Sequence, residues 1–252
     1  MLLEETFNKI QQMRMPGFGR ALQEQLDAED QYDELSFEER LGLLVDQEER
    51  ERETRLLKTR LTQAKLRQQA CMEDIDYRHP RGLNKSFVKS LMRCQWIKDH
   101  LNIIITGATG TGKTYLACAL DHRVCLEGYR AYYVRVPRLF QELSVARGEG
   151  RYENLMRTIC KRDVLITDDG GLSVLTDHEQ RDLLEILEDR HDSRSTIIAG
   201  QLPVKHWYKT IGNATLADAI LDRLVHQAYQ INLKGESMRK RRSKLTEEQK
   251  KG

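Results

Sequence analysis

Residues 107–114 read Gly-Ala-Thr-Gly-Thr-Gly-Lys-Thr, and this stretch with its flanks limits the possible folds more than any other part of the chain. It completes the pattern G-x-x-x-x-G-K-[ST]. The β-branched run Asn102-Ile103-Ile104-Ile105-Thr106 precedes it, and the helix-forming run Tyr115-Leu116-Ala117-Cys118-Ala119-Leu120 follows. A strand, a glycine loop and a helix start in that order make a phosphate-binding loop. Gly107, Ala108, Thr109, Gly110, Thr111, Gly112, Lys113 and Thr114 are the expected cradle. The glycines let backbone N–H groups wrap a phosphate without Cβ clashes, and the helix adds its positive dipole end. Lys113 is expected to reach the β- and γ-phosphates, and the Thr114 hydroxyl to hold Mg²⁺. A chance Gly/Thr-rich turn would not need these flanks, so the chain is expected to bind a nucleoside triphosphate.

The pattern downstream sets the fold class. Strands are predicted at 102–106, 131–136, 163–168, 195–200 and 228–233, with helices between them. Pro137 opens one helix, Thr176 caps another with Glu179 three residues on, and Pro203 suits the first turn of a third. Such alternation predicts an α/β fold, a doubly wound parallel sheet of about five strands with ligand at the carboxyl ends of its strands. The run Val164-Leu165-Ile166-Thr167-Asp168-Asp169 reads as a buried strand, expected beside the loop strand, that ends in two carboxylates. Asp168 is placed to hold Mg²⁺ through water, and Asp169 to orient or deprotonate an attacking water. The alternative is an acidic turn with Asp169 as a local cap. No N-K-x-D guanine signature follows, which points to ATP. The strand at 131–136 falls between the loop and the acidic strand in sequence, which favours an ATPase with an added central strand over a nucleotide kinase.

Upstream, residues 1–75 carry no convincing strand and read as a helical N-terminal module. Ser36 and Glu39 form a capping box that opens a long helix through Leu66. Its middle, Asp46 to Arg55, is nearly all charge, so it either projects or packs along one narrow stripe. The residues leave open whether this module binds DNA, a partner protein or its own copies, or is a plain solvated bundle. Residues 76–83, with Pro80 and Gly82, read as a linker, and residues 84–252 as the nucleotide domain with a basic C-terminal tail.

The chain has 252 residues, 39% hydrophobic and 32% charged, and a net charge of only +2. The charge is uneven: residues 4–55 are acid-rich, and Met238 to Lys244 is almost wholly basic. That tail suits either contact with a polyanion or a solvated terminus. Five scattered cysteines without a C-x-x-C pair suit reduced thiols, and the histidines form no metal-ligand motif. No signal peptide and no membrane-spanning run is read, so a cytoplasmic location is expected.

The chain resembles the IstB-like ATP-binding proteins, helper ATPases of insertion sequences related to the DnaC helicase loaders and DnaA within the AAA+ class. The resemblance rests on Tyr77 to Leu83, Cys94 to Ile97, the loop continuing through Leu120, Arg181 to Arg190, Gln201 to Trp207, Thr215 to His226 and Lys234 to Arg239. It implies a P-loop AAA+ ATPase using ATP and Mg²⁺, which assembles as an ATP-dependent homo-oligomer on duplex DNA and recruits or activates a partner transposase. A helicase loader of the DnaC kind is the alternative. It also implies that Arg223 is an arginine finger supplied to a neighbouring subunit, and that Arg239 is a second sensor contacting the γ-phosphate. DNA contacts are expected from the basic tail and from Lys58, Arg60, Lys65 and Arg67. The chain departs from the pattern at Ala199-Gly200, where polar residues usually precede Gln201, and at Gly170, where an aromatic usually follows the paired aspartates.

Overall fold

The computed structural model describes residues 2–170 and 174–238. It divides into two units, Met1–Thr59 and Arg60–Gly252. The first unit is helical: α1 (Leu2–Gln12), α2 (Pro16–Asp27), the single turn α3 (Glu29–Tyr32) and the beginning of α4 (Phe37–Ala64). The Ser36 capping box forms as expected, with Ser36 N–H on the Glu39 carboxylate at 2.8 Å and Glu39 N–H on the Ser36 hydroxyl at 3.3 Å. The charged middle of α4 conceals a packing residue. Glu48 is buried and accepts the Gly17 N–H at 2.8 Å and the Phe18 N–H at 3.2 Å. A carboxylate thus caps the start of α2, where orphan donors and the dipole favour negative charge. Burial opposes this charge, but bonds from Arg52, Phe18 and Gly17 outweigh it and hold the Glu48 carboxyl below its usual range. Gly17 is needed for the approach, since a Cβ there would lie 2.9 Å from the Gln47 carbonyl and the Glu48 Cα.

The second unit begins inside α4, so the division falls earlier in the chain than the 76–83 segment read as a linker. The physical reason is that residues 65–83 pack on the nucleotide domain. The Lys65 ammonium lies over the Tyr132 ring, and the Arg81 guanidinium donates to the Thr111 carbonyl. Helix α4 stops at Ala64, two residues short of Leu66, because Lys65 turns left-handed.

Two short helices, α5 (Lys85–Leu91) and α6 (Gln95–Lys98), lead into a five-stranded sheet. Its strands are β1 (Asn102–Gly107), β2 (Ala131–Arg135), β3 (Val164–Gly170), β4 (Ser195–Gly200) and β5 (Ala228–Leu233). All pairings are parallel and the order is β2-β3-β4-β1-β5. Helices α7 (Lys113–Leu126), α8 (Val136–Gly148), α9 (Tyr152–Cys160), α10 (Asp177–Arg190), α11 (Trp207–Ile211) and α12 (Ala214–Val225) connect them. Ile103, Ile104, Ile105, Val164, Leu165 and Ile166 are almost wholly buried, as near-continuous apolar strands covered on both faces should be.

Two sequence expectations change. The acidic strand β3 is not beside the loop strand β1, because β4 lies between them; β2 lies at the sheet edge. Pro203 precedes a 3-10 turn, Val204–His206, rather than opening an α-helix. The Thr176 cap of α10 forms in full. At the far end of α10, the buried Arg190 donates to the carbonyls of Ile159 and Arg162 at 3.2 and 2.8 Å and to that of Ser195. One guanidinium therefore ties the end of α9 to the start of β4, a fit for cations at helix C-termini. Among the described residues no helix is long and apolar enough to cross a membrane.

Candidate nucleotide site

The loop after β1 turns back on itself through three left-handed or near-extended glycines, Gly107 (φ 150°), Gly110 (φ 84°) and Gly112 (φ 99°). At Gly110 a Cβ would collide with Ser237, so only glycine lets the C-terminal strand exit lie this close. Lys113, at the first position of α7, is buried and donates to the carbonyls of Gly107 and Ala108 at 2.7 and 2.8 Å. Its ammonium therefore spans the mouth of the loop.

Thr114 donates its hydroxyl to Asp168 Oδ2 at 2.8 Å. Although β4 separates the two strands, the parallel sheet carries both residues to the same end. Tyr133, from β2, donates to the same Oδ2 at 2.7 Å, and burial beside that carboxylate pushes the phenol pKa up. Asp168 Oδ1 accepts the Asp169 N–H at 2.9 Å. Asp168 is thus fully buried with both oxygens oriented, one of them at the Thr114 hydroxyl. A threonine hydroxyl against a carboxylate, beside a lysine and a glycine loop, is a donor set that would fit Mg²⁺ and phosphate.

Asp169 is distinct. Its φ of 59° is left-handed, and the β3–β4 register shifts between Thr167 and Gly170. That bulge re-aims the second carboxylate away from the ladder. Asp169 Oδ2 accepts from Arg135 Nε at 2.6 Å, and Arg67 Nη1 lies 3.7 Å from Asp168 and 3.9 Å from Asp169. Arg67 therefore faces the carboxylate pair, in contrast to its expected role in DNA contact. The two sequence departures meet across this bulge, since Gly170 pairs with Gly200 in register. Ala199 is fully buried and β4 ends between the loop strand and the acidic strand, so this strand end carries no polar side chain just before Gln201.

A cavity of about 200 Å³ opens beside the loop, lined by Gly110, Gly112, Lys113, Thr114 and Met238 on one side and Arg67, Asp76 and Arg81 on another. The buried Arg81 donates to the Thr111 carbonyl at 3.3 Å and to the Asp76 carbonyl at 3.0 Å, which fastens the 76–83 segment to the loop. Burial lowers the Arg81 pKa. The Met238 N–H donates to the Gly110 carbonyl at 2.9 Å, and the described chain ends there. Arg239 and the basic tail through Lys244 lie outside the described residues.

Arg223 stands elsewhere. It lies near the end of α12, where Asn102 donates to its carbonyl at 3.1 Å. Asn102 opens β1 and the loop closes it, so five strand steps of about 3.3 Å separate them, roughly 16 Å. The Arg223 guanidinium pairs with Glu188 at 2.9 Å and with the Ala219 carbonyl.

Tyr133, Arg67, Arg81 and Arg135 carry no sequence signal that marks them as site residues with the clarity of the loop. Arg81 was within reach, since it belongs to the Tyr77–Leu83 stretch. Tyr133 was not, because two adjacent tyrosines on a strand do not reveal which one faces a carboxylate two elements away.

The family profile of IstB-like ATP-binding proteins matches residues 8–246. A protein of Sinorhizobium fredii named as an insertion-sequence ATP-binding protein is 49% identical over 240 residues, covering 95% of this chain and 98% of that protein. Among solved structures, DnaI superposes with a TM-score of 0.57 at 21% identity, over 66% of this chain and 92% of that one. The DnaC helicase loader gives 0.53 at 20% identity, over 66% and 97%. These two likenesses concern the fold alone.

Proposed function

The chain belongs to the IstB-like ATP-binding family, and on that premise we propose that it is an ATP-hydrolysing helper of DNA transposition. It assembles with copies of itself on duplex DNA in its ATP state and recruits or activates a transposase in the cytoplasm. The observation that carries the ATP-driven part is the Lys113, Thr114 and Asp168 constellation, in which a buried carboxylate is already oriented at the Thr114 hydroxyl.

Lys113 holds the β- and γ-phosphates, and Thr114 with Asp168 holds Mg²⁺, which supplies charge neutralisation at the phosphates. Asp169, once its carboxylate is released by the Arg135 guanidinium, orients the attacking water and takes its proton as the water oxygen bonds to the γ-phosphorus and the bond to ADP breaks. Arg223 acts on the nucleotide of a neighbouring subunit. Its place at the end of β1 opposite its own loop supports that role, as a cis contact would have to span the length of that strand. Arg239 follows directly on Met238, which packs on the loop, and that supports its role as a sensor of the γ-phosphate. DNA contact comes from the basic tail and from Lys58, Arg60 and Lys65. The N-terminal helices serve DNA or the partner.

The test is assembly of the full chain on duplex DNA, followed by sedimentation and electron microscopy with and without ATP. ATP-dependent assembly that disappears in Lys113→Ala supports the proposal. Assembly of Lys113→Ala at the same protein concentration refutes the coupling, and stimulation of a replicative helicase in place of a transposase moves the chain to the loader class.

A further inference from the structure

Arg67 stands beside the phosphate loop, yet the proposed reaction gives it no task. Its Nη1 lies 3.7 Å from Asp168 Oδ2 and 3.9 Å from Asp169 Oδ2, and its side chain is 41% exposed. Asp168 Oδ2 is also the oxygen that accepts from Thr114 and from Tyr133. Those two bring neutral hydroxyls, whereas Arg67 brings a full positive charge. Arg67 hydrogen-bonds the Tyr133 phenol as well, which aims it at this corner. The same side chain lines the cavity that Lys113 and Thr114 share.

The backbone beneath Arg67 is fastened to the domain. The Arg67 and Gln68 N–H groups face the Cys118 sulfur, Tyr115 donates to the Cys71 carbonyl at 3.5 Å, and Ala70 and Met72 are buried. The guanidinium is held differently. It meets both carboxylates through charge, at distances beyond a hydrogen bond and without a bidentate fork. A half-exposed arginine placed this way offsets the charge of a carboxylate pair and is still easy to displace.

Thr114 and Asp168 are the pair proposed to hold Mg²⁺. A divalent ion and a guanidinium drawn to one carboxylate oxygen repel each other, so only one of them can stay close. We propose that Arg67 is a tethered competitor of Mg²⁺: it offsets the charge of Asp168 and Asp169, and the metal binds with the nucleotide only as the guanidinium leaves them. The apparent Mg²⁺ affinity is then reduced by the fraction of chains in which Arg67 holds the carboxylates. Arg67 is thus a positioning residue that sets the Mg²⁺ concentration at which the site loads. The inference rests on the proposed Mg²⁺–ATP site and adds a control on its filling.

The test follows a fluorescent ATP analogue bound to the full chain, first in EDTA and then through a Mg²⁺ titration. Arg67→Gln is expected to lower the Mg²⁺ concentration for half-maximal enhancement of binding by about threefold or more, with affinity in EDTA unchanged. Phenylglyoxal labelling of wild-type Arg67, read by peptide mass spectrometry, is expected to rise when Mg²⁺ is added to the ATP complex, and it requires no variant to fold. A Mg²⁺ midpoint that stays level or rises in folded Arg67→Gln overturns the inference, as does labelling that stays level or falls. Weaker binding of the analogue to the variant in EDTA assigns Arg67 to the phosphates and also overturns it. A wild-type chain that binds no analogue, or binds it equally with and without Mg²⁺, overturns the Mg²⁺–ATP reading itself.

Discussion

Asp121 offers a sharp test of the interior. It lies on α7, eight residues beyond Lys113, and is wholly buried, and neither carboxylate oxygen has a hydrogen-bond partner among the described residues. Burial raises its pKa well above the usual carboxylate value, so the folded chain holds it as a neutral acid. The unfolded chain ionises it near the ordinary aspartate value of about 3.9. Because folding raises this pKa, the stability it supplies is intact below the unfolded value and drains away as pH climbs towards the folded one. Within that window, whose upper end is the folded value, each pH unit removes about 1.4 kcal/mol. Asp121→Asn keeps the shape and cannot ionise, so its stability should gain that amount per pH unit relative to wild type over the same window. Urea unfolding followed by fluorescence reads the correct unit, since Trp96 and Trp207 are both buried in it. Subtracting the two pH profiles cancels every other titrating group. Parallel profiles for wild type and Asp121→Asn would show that the carboxyl is solvated or paired, and the argument would fail.

Two further outcomes concern the site. Tyr133→Phe removes one bond to Asp168 and should cost about 1.5–3 kcal/mol in urea unfolding. It should also weaken the Mg²⁺ enhancement of ATP binding more than ATP binding itself; equal loss of both would remove Tyr133 from the orientation of Asp168. Arg223→Ala breaks a partly exposed pair with Glu188, so its stability should change by less than about 1 kcal/mol. Its ATP affinity should hold while assembled turnover falls by about 10³ or more, and turnover at the wild-type rate would take Arg223 out of the reaction.

Much of the second unit is readable along the chain because its signals are local. All five strands occur within two residues of their expected ends, as each is a β-branched or aromatic run bounded by turn residues. The caps at Ser36 and Thr176 depend on residues three positions apart and form as expected. Glu48 shows the opposite case. Within a run of charges it looks like its neighbours, and only the approach of α2 makes it a buried cap. Lys65 and Arg67 illustrate the same point at closer range. They are two residues apart and read alike in sequence, yet one lies over the Tyr132 ring and the other faces the carboxylate pair.

The phosphate loop, its strand and helix, and the carboxylates at 168 and 169 follow from residue order alone, because φ > 0 at glycine and apolar periodicity are properties of short segments. The placement of β4 between β1 and β3, the Tyr133 bond to Asp168, the facing of Gly170 and Gly200, and the separation of Arg223 from its own loop come from parallel pairing. Each such pair joins residues dozens of positions apart, and no local pattern records which strand lies beside which. Tertiary packing therefore turned a phosphate-binding motif into a site with a defined second carboxylate and a neighbouring arginine.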